Sequence, residues 1–448
     1  MVARSRSRLS VRHLFLVVPI AGLAWAVTRP FRDNSFLWHV RAGTEQLDAG
    51  QVLTSDPFTI EYGGEAWRTQ SWLADIAYGF LERLTDGVAW LPYYMFAMAA
   101  LAAIVVLATI YRRTSHLGVT AAAGILLVWQ ASPFTAARPV IISYVLLASL
   151  AAALLSNKVD YLIPGLIWLW AALHGSFVVG IGLIVLEAIR RRSRRHVELA
   201  VISVILASLT AHGFGVWEVL VAFLGNREAL AIIQEWQPPN YSNPFMLPYG
   251  LMVLGTIYAA AKGKVQQSAL FVILPFLFFG MLTVRNLYPA MIVVLPYLAQ
   301  GLTPDKPEVR RPDPLPIVAG FAAVILIVGL VGLMRPVRLA ETAFPAPEAL
   351  EALDPGPVFH GIAPGGYLIY AEWPERPILV DDRAELFGID GFRRYLDVAD
   401  GDGWEELFAE LEISQALLDV DWPLVGSLAT AGWIEEYRDD FFVVASAP

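Results

Sequence analysis

The chain has 448 residues, of which 56% are hydrophobic and only 16% charged, with a mean hydropathy of +0.55. Soluble domains carry about a quarter charged residues, so this composition predicts a membrane protein. A net charge of −9 gives no support to nucleic-acid binding, and the absence of cysteine excludes disulfides, thiolate metal sites and cysteine nucleophiles. The charge is unevenly spread: residues 335–448 hold 7 Lys/Arg against 23 Asp/Glu, an acidic, soluble-looking tail behind a basic, apolar body.

In chain order, Arg4, Arg6, Arg8 and Arg12 precede the apolar run 14–28, which predicts an uncleaved first span and a cytoplasmic amino terminus. The long loop 29–88 is patterned. Residues 36–49 have helical spacing, 50–57 are turn-like, and 67–84 predict a second amphipathic helix. Trp67, Trp72 and Tyr78 on that helix suit a membrane interface. Further apolar runs cover 89–111, 117–132, 139–156, 161–189, 197–212, 247–261, 265–284, 287–302 and 315–334. The run 161–189 is longer than the ~20 residues one crossing needs. Breaking it at 173–176, around His174, keeps Arg190, Arg191, Arg192, Arg194 and Arg195 in the cytoplasm, together with Lys262, Lys264 and Lys306. The total becomes about eleven spans, and an odd number exports the tail. Segment 216–234 predicts a third interfacial helix. The tail reads as a small α/β domain with an independent core. Its expected strands are PVFHG, ILVDDR and SQALLDV, its helices FRRYLDV, WEELFAEL and PLVGSLATAG, and it closes on a hairpin over EEYRDDFFVVASA. The expected domains are a transmembrane module, 1–334 with loop 29–88 included, and an extracytoplasmic domain, 335–448.

Charged groups beside apolar spans are costly and therefore functional candidates. Asp33, just after the first span between Arg29, Arg32 and Trp38-His39, is placed to be partly desolvated, which raises its proton affinity and suits it to deprotonate a hydroxyl. The alternative is an Asp that caps a helix beginning near Ser35. Arg138 and Arg285 each stand alone at an expected outer boundary, as phosphate ligands or as snorkelling arginines. His174 sits at the expected helix break and His212 at an outer helix end, each a cavity residue or a packed one. Glu235 with Trp236 suits a sugar, by carboxylate and stacking indole, or simply ends a helix. Asp381, Asp382 and Arg383 read as a local ion-paired turn. No His/Asp/Glu cluster has metal-ligand spacing, so neither a metal nor a cofactor is expected.

Asp33 followed by Trp38-His39, Gly43, Asp56-Pro57-Phe58, Trp67 and Trp72-Leu73 resembles the first outer loop of bacterial GT-C class glycosyltransferases of the mannosyltransferase-like group. The similarity continues through Arg138-Pro139, His174-Gly175, Glu235-Trp236, Arg285, Gly365-Gly366-Tyr367 and 381–388, nearly the whole chain. The resemblance implies a polytopic α-helical GT-C module with an extracytoplasmic α/β domain in the bacterial inner membrane. It also implies inverting transfer of a sugar from a polyprenyl-phosphate donor to a hydroxyl of a glycan, lipid or protein acceptor at the outer face. Asp33 is then the general base, Arg138 and Arg285 offset charge on the leaving lipid phosphate, and His39, His174, Glu235 and Trp236 line the substrate cavity. Many class members carry a paired acidic motif where this chain has Asp33-Asn34. The competing function is a non-catalytic membrane scaffold or assembly subunit whose exported domain binds a partner. A transporter is disfavoured, because no inverted repeat is evident.

Overall fold

The structure, a computed structural model, describes residues 30–131, 136–156, 160–225, 228, 233–303 and 338–448. The expected spans at 14–28 and 315–334, and the basic residues flanking them, lie outside these. The described residues form two compact units, those of 89–210 and 233–303 in one and those of 30–88, 211–228 and 338–448 in the other.

The first unit is helical. Its elements are α3 (Leu91–Thr114), α4 (Leu117–Ala131), α5 (Val140–Ser156), α6 (Ile163–Leu173), α7 (Phe177–Arg191), α8 (Arg194–Ala207), α10 (Leu247–Ala261), α11 (Leu270–Leu282) and α12 (Leu287–Gly301). Each coincides with an expected apolar run, and the run 161–189 is broken at His174-Gly175-Ser176 between α6 and α7. α12 is the central rod, buried along nearly its whole length among α3, α4, α5, α10 and α11. The outer helices turn Leu251, Leu254, Ile257, Phe271, Leu274 and Phe278 outward, all at least half exposed. Water would make that surface costly, and hydrocarbon would not. Among the described residues two helices are long and apolar enough to cross a bilayer by themselves, Leu91–Thr114 and Pro244–Ala261. The other apolar helices are shorter.

The second unit joins the first loop to the tail. It contains α1 (Ser35–Ala49), α2 (Trp72–Thr85), α9 (Gly215–Gly225), α13 (Pro347–Glu351), α14 (Ile362–Glu372), α15 (Ala384–Ala399), α16 (Trp404–Glu410) and α17 (Pro423–Thr430). One sheet completes it, with strands β1 (Val358–His360), β2 (Gln415–Asp419), β3 (Ile434–Arg438) and β4 (Phe442–Ser446) in the order β1-β2-β4-β3. β1 and β2 are parallel, and the other pairings are antiparallel. α15 is kinked at Gly388, whose φ of 62° a side-chain-bearing residue rarely adopts.

Four expectations are corrected here. Loop 29–88 is not part of the membrane module, because Trp38, Phe58 and Trp67 share one core with Val358, Leu368, Ile378, Leu417 and Phe442. For the same reason the tail does not own its core. α1 is not a surface helix, since it is buried on most of its length; α2 begins at Trp72, leaves the buried Trp67 outside it and buries Tyr78, but keeps one face open with Phe80 and Leu84 at 57% and 69% exposed. The two helices approach closely at paired glycines, since a Cβ on Gly43 would stand 1.7 Å from the Asp75 carbonyl oxygen and one on Gly79 2.4 Å from the Thr44 nitrogen. Finally, ILVDDR is not a sheet strand. It makes one parallel bridge, Ile378 with Thr59 of the first loop, and its Leu379 N–H is taken by the His360 ring at 3.1 Å.

Candidate functional site

The residues singled out in the sequence fall into two groups, one in each unit. In the first unit, Arg138 before α5, Glu235-Trp236 in the connection before α10, and Arg285 before α12 come together. One oxygen of Glu235 accepts from both guanidiniums, at 3.2 Å from Arg138 and 2.7 Å from Arg285. The Arg285 guanidinium also lies 5.1 Å from the Trp236 ring centre, a cation-π distance. A backbone bond from Val284 N–H to the Gln237 carbonyl, 2.9 Å, holds the two segments in register. Among the described residues two cations and one carboxylate leave a net positive cluster, and the three side chains are about a fifth to a third exposed, so they remain accessible to a ligand. The sequence presented Glu235 as a sugar ligand apart from the arginines; the structure makes it the hinge between them.

His174 takes a different part. Its ring is buried, its Nδ1 lies 2.8 Å from Ser176 Oγ and accepts the Ser176 N–H at 3.1 Å. Trp170 Nε1 donates to Ser143 Oγ at 2.9 Å and to Ser176 Oγ at 3.2 Å. These bonds close the turn between α6 and α7 and serve polar groups that the helix break would otherwise strand.

In the second unit, Asp33 precedes α1 and is partly exposed; its Oδ1 accepts the Ser35 backbone N–H at 3.0 Å. That bond serves one of the donors at the helix start, although the cap position itself is Asn34, whose side chain makes no capping bond. Asn34 reaches the tail, donating to the Ile362 and Ala363 carbonyls at 3.1 and 2.6 Å. Gly366 permits this approach, since a Cβ there would lie 2.6 Å from the Asn34 carbonyl oxygen. The next turn of α1 is gripped by Asp382, which accepts from Ser35 Oγ and, at 2.9 Å, from Trp38 Nε1. His39 lies in the core, with Nδ1 2.7 Å from Asp75, and Thr69 Oγ1 donates to the second Asp75 oxygen at 2.5 Å. His212 joins from its own segment, with Nε2 2.8 Å from the Thr69 carbonyl oxygen.

Beside these lies a buried charge knot. Arg383, 1% exposed, pairs with Asp381 at 2.6 Å and with Asp56 at 2.6 Å, while Trp67 covers its guanidinium at 4.5 Å. Asp56 also accepts from the Thr59 backbone and hydroxyl, at 2.9 and 2.6 Å. Burial pushes the Asp381 carboxyl up to about 6, against the opposing pull of Arg383. The sequence reading of a local ion pair covers Asp381 and Arg383, but the second partner, Asp56, comes from the first loop, and Asp382 turns from the pair to grip α1. Asp75 is the residue that sequence reasoning did not single out; for Asp56, Asp382 and Arg383 it missed the partners, not the residues. The usable signal for Asp75 was a lone acid facing the same way as Tyr78 on an otherwise apolar helix face. Among the described residues no group of three or more His, Asp or Glu is arranged to hold a metal.

No family model matches the chain, and no curated protein matches it by sequence. By structure it is similar to ArnT from Cupriavidus metallidurans, in a crystal structure bound to undecaprenyl phosphate, with a TM-score of 0.52 at 16% identity over 97% of each chain. The chain therefore has an ArnT-like fold, in agreement with the GT-C resemblance of its sequence.

Proposed function

We propose that this protein is a membrane glycosyltransferase that transfers a sugar, with inversion, from a polyprenyl-phosphate donor to an acceptor hydroxyl at the outer face of the bacterial inner membrane. The observation that carries this reading is the full-length likeness of fold to a protein whose structure holds undecaprenyl phosphate. Arg138 and Arg285 are the donor-phosphate ligands. Glu235 holds both guanidiniums in place beforehand without cancelling their charge, and preorganised cations stabilise a leaving phosphate better than mobile ones. Trp236 offers a face for the sugar or lipid beside them. Asp33 is the base: it takes the acceptor's proton, the acceptor oxygen attacks the anomeric carbon opposite the phosphate, and the sugar–phosphate bond breaks with its electrons on the phosphate. Ser35, Asn34 and Asp382 fix the chain around Asp33, while His39 and His174 hold positions in their units. No cofactor enters this scheme.

One observation favours the second reading, a non-catalytic scaffold: the Ser35 N–H at the start of α1 occupies an Asp33 oxygen, a structural use of that carboxylate. Transfer of radiolabelled sugar from polyprenyl-phosphate donors in proteoliposomes separates the two. Asp33→Asn keeps the Ser35 bond but not the basicity, so turnover should fall by something like 10²- to 10⁴-fold with donor binding intact. Near-normal transfer by the purified variant would remove Asp33 from catalysis. Absence of transfer by the wild type from every polyprenyl-phosphate sugar would favour the scaffold.

A further inference from the structure

At the other end of the helical unit lies a cavity of about 540 Å³ lined by Arg113, Arg190, Arg191, Lys264, Tyr297 and Gln300 among others. Behind it the fully buried Glu187 binds Arg190 at 2.7 and 2.6 Å and Arg191 at 2.5 Å, and accepts from Tyr297 OH. A staple between helices needs one cation for one carboxylate. Among the described residues four cations, Arg113, Arg190, Arg191 and Lys264, face a single carboxylate. Arg113 gives one N–H to the neutral amide of Gln300, at 2.6 Å, and its buried Nε has no hydrogen-bond acceptor among the described residues. A buried charged donor without an acceptor is costly, and a phosphate oxygen would satisfy it.

We propose that this cavity binds the phosphate headgroup of an anionic lipid. Lipid is favoured over a soluble anion because the residues that flank the cavity in sequence, Ile189 and Phe271, are exposed and apolar, at 52% and 56%. The charge pattern also expects this end to face the cytoplasm, where basic pockets between helices take lipid headgroups. The site is separate from the proposed donor site. Arg138 precedes α5 and Leu155 of the cavity ends it, so the 17 residues of α5 set them about 26 Å apart along the helix.

The test uses the full-length protein in detergent, with native mass spectrometry of bound phosphatidylglycerol against phosphatidylcholine, and inorganic pyrophosphate as the soluble-anion arm. Phosphatidylglycerol should be retained at least tenfold better than phosphatidylcholine. The double variant Arg113→Gln with Lys264→Gln, which leaves the Glu187 bonds untouched, should weaken it tenfold or more, since each charge-assisted bond is worth up to about tenfold. Lys264→Gln alone, at an exposed position, should weaken it several-fold. Equal retention of the two lipids by the wild type, or binding that neither variant alters, would overturn the proposal. Pyrophosphate binding without phosphatidylglycerol binding would overturn the lipid assignment.

Discussion

Replacing Arg383 with methionine tests whether the charge knot is what closes the first loop onto the tail. Methionine fills much the same space between Trp67, Phe58 and Trp38, so packing is largely kept while Asp56 and Asp381 lose their shared counter-charge. Breaking a buried ion pair by removing one partner costs about 3–5 kcal/mol, because the remaining charge stays buried. A cost of that size raises the open population of this unit by roughly 10²- to several 10³-fold. Limited proteolysis of the folded protein, followed within residues 50–70, reads that population directly. The loss should shrink as the pH falls. The folded Asp381 carboxyl already holds its proton more tightly than the ordinary 3.8, and without Arg383 it rises further. The folded variant then takes up its proton at a higher pH than the folded wild type, whose carboxyl protonates near 6, so the gap between the two narrows as the pH falls towards about 6 and stays level below it. Adding Asp56→Asn and Asp381→Asn to the methionine variant removes the stranded charges and should recover most of the loss. Cleavage as slow as in the wild type, or no recovery in the triple variant, would refute the assignment of the knot as the closure.

Glu235→Gln keeps an oxygen for both arginines and removes the competing charge; the donor KM should fall several-fold with a steeper salt dependence, measured by transfer kinetics at two ionic strengths. A KM that is unchanged or raised would count against phosphate binding there. His360 is buried and held neutral, its pKa pushed down to about 4 by burial, so its contribution exists above the ordinary 6.5 and fades as the pH drops towards 4, about 3 kcal/mol in all. The stability gap between wild type and His360→Asn, read by proteolysis, should narrow over that window. Gly43→Ala places a methyl group on the Asp75 carbonyl and should cost about 1–3 kcal/mol or more, measured as a lower thermal midpoint, with Gly50→Ala, where no atom lies within 4 Å of the added Cβ, as the site whose loss is only that of its φ.

What the sequence disclosed follows from range. Helices α1 and α2, the break at His174 and the tail hairpin rest on local spacing, and each is where the pattern places it to within a few residues. α14, by contrast, carries Pro364-Gly365-Gly366 in its first turns, which reads as a loop; it is helical because Gly365 and Gly366 must press against Val380 and Asn34. ILVDDR has the apolar run of a strand, yet His360 and the first loop take the backbone bonds a sheet neighbour would have used. The Asp56–Arg383 and Trp38–Asp382 pairs span 327 and 344 residues, and no local pattern encodes a partner at that distance. Arg138, Glu235 and Arg285 were each visible as isolated charges, but the bridging oxygen of Glu235 was not.

The union of the first loop with the tail also imposes an order on the protein's making. Trp38, Phe58 and Trp67 leave the ribosome early, while Arg383 follows Asp56 by 327 residues, roughly 15 to 65 s at ordinary elongation rates. For that interval the loop carries aromatic surface with nothing to cover it, and the final closure must pay the entropy of joining ends that far apart. A nascent chain stalled before residue 383 should therefore be the species that chaperones and proteases at the membrane meet, and the tail's last strands are the step that releases it from them.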